Sequence, residues 1–176
     1  MRCRDAGFTL LELLIAVAIL VVIVGVAIPS SARMLGHLRT TAALESLTTH
    51  MSLARMAAVT RRRPTILCPS TTGTSCGSGT DWSGGWMLLV DSNGNRRPDP
   101  DDEVLRVDLT PTSRALGVTG TRGRPFLRYL PDGRSAGSNL TLSVCSRDGH
   151  LLGNVIVNNA GRPRSSRPTT PTPCAN

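Results

Sequence analysis

Phe8-Thr-Leu-Leu-Glu12-Leu-Leu-Ile-Ala-Val-Ala-Ile-Leu-Val-Val-Ile-Val-Gly-Val-Ala-Ile28 is the stretch from which the rest of the chain is read. Its 21 residues carry a single charge, Glu12. As a helix rising 1.5 Å per residue the run is roughly 31 Å long, close to the hydrocarbon thickness of a bilayer. Arg2 and Arg4 precede it and are expected to stay cytoplasmic, which sends the remainder of the chain outward. Two readings compete. In one, the run is a secretory signal removed at the small-residue site Pro29-Ser-Ser-Ala32. In the other, it is a retained membrane helix cut near its front. Three features favour retention. Glu12 sits inside the apolar run, where a carboxylate is costly and needs a purpose. Gly7, a small residue, stands at the cytoplasmic boundary. The helical pattern also continues beyond the run.

That continuation is visible in Leu44, Leu47, Met51, Ala54 and Ala58, spaced alternately three and four apart, with Thr48, Thr49 and Ser52 on the opposite face. Pro29 removes one helical hydrogen bond and is expected to kink the helix without ending it. The spacing predicts one helix from about Phe8 to Arg62, its first half in membrane and its second half packed on a globular domain. Arg61-Arg62-Arg63-Pro64 ends it, because basic groups suit a helix C-terminus and the residue before proline disfavours α geometry. Short apolar runs then recur between Gly, Pro, Asn and Asp clusters: 65–68, 85–91, 104–109, 126–130, 140–145 and 154–158. They predict a mostly antiparallel sheet of about five to seven strands laid on the helix, an α+β fold.

Composition narrows the function. The chain has 176 residues, enough for one domain and an appended segment. All twenty basic residues are Arg against twelve acids, a net charge of +8. The His residues 37, 50 and 150 are scattered and none adjoins a Cys, so no metal site is expected. No P-loop, zincin, hydrolase-elbow or dinucleotide motif occurs, and no acid, base and nucleophile converge. Neither an enzyme nor a cofactor is expected. Asp91-Ser-Asn-Gly-Asn95, with Asp99 and Asp102 beyond, begins like a calcium loop. Arg96 stands where that loop wants glycine and Arg97 adds positive charge, so a solvated hairpin turn is expected instead.

The opening residues Gly7-Phe8-Thr9-Leu10-Leu11-Glu12-Leu13-Leu14 resemble the type III signal of type IV pilins and pseudopilins, without gaps over about 20 residues. The resemblance implies that a prepilin peptidase cuts after Gly7 and methylates the new N-terminal Phe8. It implies that Glu12 neutralises the N-terminus of a neighbouring subunit during assembly, since two opposite charges in lipid are each costly alone and far cheaper paired. It divides the chain into a leader (1–7), a transmembrane and filament-core helix (8–28), an amphipathic continuation (29–63) and a periplasmic β-rich domain (64–176). A second stretch, Gly85-Trp86 through Asp91 and Asn93 to Val104-Leu105-Arg106, resembles the GspH/FimT branch, which implies a minor pilin or pseudopilin. The implied partners are other pilins or pseudopilins, the peptidase and the inner membrane.

Cys3 lies in the leader, leaving Cys68, Cys76, Cys145 and Cys174, an even number that allows three connectivities. Sequence proximity favours Cys68–Cys76, with Cys174 then tied to Cys145. Loop closure makes these worth about 2.5 and 3.5 kcal/mol, and they require an oxidising compartment such as the periplasm.

Charge is unevenly spread: +5 from Arg33 to Arg63, −4 from Asp81 to Asp108 and +7 from Leu109 to Asn176. The basic last third implies an anionic partner. Its sharpest part is Gly161-Arg162-Pro163-Arg164-Ser-Ser-Arg167, where Pro163 stiffens a basic segment and Arg offers forked donors to phosphate oxygens. Gly161-Arg162-Pro163-Arg164 matches the GRxR motif of FimT-like minor pilins, implicated in DNA binding during natural transformation. The resemblance implies non-specific binding of double-stranded DNA through its phosphates, by Gly161, Arg162, Arg164 and, to a lesser extent, Arg167. No aromatic residue follows Tyr129, so stacking is expected to be unimportant. The competing expectation is a structural pseudopilin of a type II secretion system with no DNA role.

Overall fold

The computed structural model describes residues 9–97, 99–109, 113–137 and 139–174, without the side chains of 26–33. Gly7 and Phe8, where processing is expected, lie outside the described residues. One helix, α1 (Leu10–Arg61), is followed by eight strands: β1 (Thr65–Pro69), β2 (Trp86–Val90), β3 (Glu103–Asp108), β4 (Leu116–Gly120), β5 (Leu127–Tyr129), β6 (Leu140–Ser146), β7 (Leu151–Val157) and β8 (Pro163–Ser166). The chain divides into two compact units after Leu38.

In the first unit Thr9 caps α1: its hydroxyl accepts from the Glu12 N–H at 3.2 Å and its carbonyl from the Leu13 N–H. Thr9 and Glu12 thus stand at the spacing of a capping box, and an acid in the first turn suits the helix dipole. Leu10, Leu11, Leu13, Leu14 and the aliphatic residues through Val24 are exposed. Helix is assigned continuously through Pro29. Among the described residues no helix is long and apolar enough to cross a membrane.

In the second unit the stripe read from sequence is the buried one: Leu44, Leu47, Met51, Ala54 and Ala58 all lie in the core. Ala43 joins them. Arg62 leaves the helix at φ +53°, a left-handed conformation that a glycine would hold with less strain. The Thr65 hydroxyl donates to the Ala54 carbonyl at 2.8 Å and so ties the start of β1 back to the helix.

The strands form two antiparallel four-stranded sheets, not the single sheet expected. Sheet A runs β3-β2-β1-β5 and sheet B runs β4-β6-β7-β8. Leu67, Trp86 and Leu88 of sheet A and Leu142, Val144, Val155 and Val157 of sheet B share one core with α1. Ile66, Cys68, Met87 and Leu89 form a second apolar cluster, with Cys76 and Phe126 packed against it. Strands β1 and β2 are therefore buried at every residue, which explains their unbroken apolar runs. Strands β4, β6 and β7 are buried mainly at alternate residues, as sheets covered on one face are.

Two strands lack a local signal in the sequence. β4, Leu-Gly-Val-Thr-Gly, carries two glycines and a weak strand propensity. β8 is Pro-Arg-Ser-Ser, too polar to signal a strand. Each is held by pairing with one neighbour: β4 with β6, and β8 with β7. The described cysteines form two disulfides, Cys68–Cys76 and Cys145–Cys174.

Candidate nucleic-acid interface

The Pro-stiffened basic segment is an edge strand that follows a glycine turn. β7 ends at Val157, and the Asn158 carbonyl accepts from the Gly161 N–H at 2.8 Å to close the turn. Gly161 is buried at φ +72°. A Cβ there would lie 2.1 Å from the Gly133 carbonyl oxygen and 3.1 Å from the Tyr129 ring, so only glycine fits. Gly133, at φ +77°, belongs to the turn after β5, and its carbonyl accepts from Arg55 Nε of α1 at 2.8 Å. Ser135 completes the clamp: its N–H donates to the Asn159 carbonyl and its hydroxyl to the Asn158 carbonyl, at 3.2 and 3.0 Å. Tyr129 is buried beneath, and burial pushes its phenol well above the usual range.

From that anchor β8 pairs with β7, setting Pro163 opposite Val157, Arg164 opposite Ile156 and Ser166 opposite Asn154. Val155 and Val157 are fully buried while Ile156 is half-buried, so Arg164 and Ser166 share the outer face with Ile156 and Asn154. Arg162 and Arg164 are exposed, and among the described residues neither guanidinium has a hydrogen-bond or ion-pair partner. None of the four strands of sheet B carries an acid. The face beside the two arginines thus presents hydroxyl and amide groups (Thr141, Ser143, Asn154, Ser166) and no opposing charge.

Arg167 is placed differently. Its Nη2 donates to the Thr41 hydroxyl at 2.5 Å, so it pins the end of β8 to the helix. The tail beyond runs back along the start of β7. The Thr172 carbonyl accepts from Leu151 N–H, the Cys174 N–H donates to the Gly149 carbonyl, and Cys174 is bonded to Cys145. Glu12 lies in the first unit.

The same anchor brings in residues that spacing did not suggest. Arg134 follows Gly133 directly and pairs with the exposed Asp132 at 2.7 Å. The backbone N–H of Arg134, and then its guanidinium, hold the Asp132 carboxyl below the usual range. The sequence signal was present, since Pro131-Asp-Gly-Arg134 is a turn motif, but nothing local linked it to Gly161, 28 positions away.

The Asp91–Asp102 loop is exposed at its tip, residues 93–97, as expected of a solvated turn, but its end carboxylates are buried. Asp91 has a fully buried side chain, and its Oδ2 accepts from Arg128 Nε and Nη2 at 3.3 and 3.2 Å and from the Arg96 N–H at 3.2 Å. Asp102 accepts from the Ser92 and Asp99 N–H groups. Asp99 accepts from the Asn93 and Asn95 side-chain amides, and the Asn93 bond is the main cause of its lowered carboxyl pKa. Among the described residues no three His, Cys, Asp or Glu side chains converge as metal ligands.

Comparison with known proteins agrees with this architecture. The family described as type II transport protein GspH matches residues 43–161, and the prokaryotic N-terminal methylation motif matches residues 2–28. The pilin-like protein PilA1 of Thermus thermophilus is 33% identical over 168 residues, covering 90% of this chain and 96% of its own. The type IV minor pilin FimU of Pseudomonas aeruginosa has a similar structure, with TM-score 0.59 at 19% identity over 80% of this chain and 98% of that one. The minor pseudopilin EpsH from the type 2 secretion system of Vibrio cholerae gives 0.52 at 13% identity, over 75% and 99% of the two chains. At these identities the two solved structures show a shared fold.

Proposed function

The chain belongs to the GspH family and is a minor pilin or pseudopilin, and from that premise we propose that it joins or primes a type IV pilus and there binds double-stranded DNA through Arg162 and Arg164. The observation that carries this reading is the pairing of rigidity with unopposed charge. Gly161 is locked against Gly133, and the chain from it presents partnerless Arg162 just before β8 and Arg164 within it, on a sheet whose strands hold no carboxylate. Little backbone freedom is left to lose on binding, and forked guanidinium donors suit phosphate oxygens. Contact of this kind is phosphate-led and indifferent to base sequence.

The N-terminus supplies the rest of the proposal. A prepilin peptidase removes residues 1–7 and methylates Phe8. The run from Phe8 to Ile28 sits in the inner membrane and later in the filament core, and Glu12 pairs with the N-terminus of a neighbouring pilin. The methylation-motif match over residues 2–28 supports this. The domain from residue 64 onward is periplasmic, which suits two disulfides. A second reading, a structural pseudopilin of a type II secretion system with no DNA role, is favoured by the description of the matching family.

Gel-shift titration of the full chain in detergent at two salt concentrations separates the readings. Wild type binds duplex DNA at low salt, with micromolar or weaker affinity for a single copy. Arg162→Gln with Arg164→Gln weakens binding to every duplex alike and reduces the log K against log salt slope by about one for each phosphate no longer engaged. Absence of wild-type binding, or equal binding by the double variant, leaves the secretion role.

A further inference from the structure

A hollow of about 500 Å³ lies over β5, lined by Arg96, Phe126, Arg128, Leu130, Ala136 and Gly137. A second of about 210 Å³ shares Leu130, Ala136 and Gly137 with it and extends to Arg134, Ser135 and Asn159. Together they form one trough. Its far end is Asn159 and Arg134, the residues clamped to the Gly161 hinge through Ser135 and Gly133. The trough therefore begins where the basic strand begins.

Its lining combines one aromatic ring with three arginines. Phe126 is half-buried, packed on one side against the cluster of Ile66, Cys68, Met87 and Leu89, and contributing its other surface to the hollow. Arg96 is exposed, and among the described residues its guanidinium has no hydrogen-bond or ion-pair partner. Arg128 is fixed by Asp91, so the wall beside Phe126 is preorganised. Arg134, at the far end, is exposed and shares its charge only with the exposed Asp132, a pair that solvent already screens. An aromatic surface set between cations along a groove is how proteins hold unpaired strands: bases stack on the ring while phosphates follow the charge.

We infer that this trough takes an unpaired nucleotide of a DNA strand, with Phe126 as the stacking surface and Arg96 and Arg134 as phosphate contacts at its two ends. This rests on the reading of β8 as a DNA-binding strand and deepens it: the protein binds single strands more tightly than duplex. A duplex keeps its bases stacked inward and reaches only Arg162 and Arg164.

Fluorescence anisotropy of the full chain in detergent tests this, with a labelled oligothymidylate of about 16 nucleotides and a duplex of the same length. Phe126→Leu keeps an apolar group on the underlying cluster, and its thermal unfolding is measured alongside. It is expected to lose about five-fold or more in single-strand affinity with duplex affinity unchanged, and Phe126→Trp to restore it. Arg96→Gln, an exposed position that folding tolerates, is expected to reduce the salt slope for the single strand by about 0.7 and to leave the duplex slope unchanged. Equal single-strand binding by Phe126→Leu and wild type, or equal losses on both DNAs, overturns the inference. Wild type that binds the single strand but no duplex overturns the duplex proposal and leaves the trough standing. Wild type that binds neither overturns both.

Discussion

Sheet A ends at β3 and sheet B at β8, and the two edges are finished in opposite ways. β3 carries Glu103 and Asp108 with Val104 and Val107 exposed between them. It is bulged against β2 between Leu88 and Leu89 and belongs to the acidic stretch of the chain. β8 carries Pro163, Arg164 and two serines, in the basic stretch. Charge, a bulge and proline all protect an edge from unwanted pairing. The contrast lies in what stands behind each edge. The hairpin behind β3 spends its carboxylates internally, with Asp91 on Arg128 and Asp99 on two asparagines. The turn behind β8 is held by Gly133, Ser135 and Arg55, and Arg162 and Arg164 beyond it have no partner among the described residues. Of the two edge strands themselves, β3 has its Arg106 donating to His50, while β8 has Arg164 without a partner among the described residues.

Breaking the internal pairing gives the largest expected effect. Arg128→Ala leaves the Asp91 carboxylate buried without its counter-charge and should cost about 3–5 kcal/mol in urea unfolding. Arg61→Ala, removing the exposed Arg61–Glu103 pair at 2.5 Å, should cost under about 1 kcal/mol. Equal costs would mean that burial does not separate the two pairs.

The disulfides come next. Replacing Cys145 and Cys174 by Ser opens a closure of sequence separation 29 and should cost about 3.5 kcal/mol. The same change at Cys68 and Cys76, separation 8, should cost about 2.5. Duplex affinity should survive the first change, because β8 is also held by β7, Gly161 and Arg167. A fall in affinity with β8 still paired would show that the tail positions the arginines.

The finest comparison sets one glycine against another. Gly94 in the acidic loop and Gly161 at the basic hinge have nearly equal φ, +74° and +72°. An added Cβ meets nothing within 4 Å at Gly94 and the Gly133 carbonyl at Gly161. Gly94→Ala should therefore cost about 1 kcal/mol, the backbone strain alone. Gly161→Ala should cost about 2 kcal/mol or more and weaken DNA binding as well. Thermal unfolding of both variants and one gel shift measure the difference, and equal costs would show that the Gly133 turn gives way.

Periodicity and spacing determined the parts of this protein that depend on near neighbours. The helix could be read because the interval from Leu44 to Ala58 reports one face of a 3.6-residue turn, whatever lies opposite. The apolar run after Gly7 and its single Glu12 were likewise local, as were six of the eight strands. Tertiary structure alone decided the rest. β8 is a strand because β7 offers it an edge, against the preference of Pro-Arg-Ser-Ser. Asp91 is buried because Arg128, 37 positions on, meets it. Gly161 is irreplaceable because Gly133 lies against it. Phe126 shares a hollow with Arg96 only after β5 has paired with β1. Each of these contacts joins distant parts of the chain or sets pairing against local propensity, and a residue's local pattern carries no record of which distant group its burial will select.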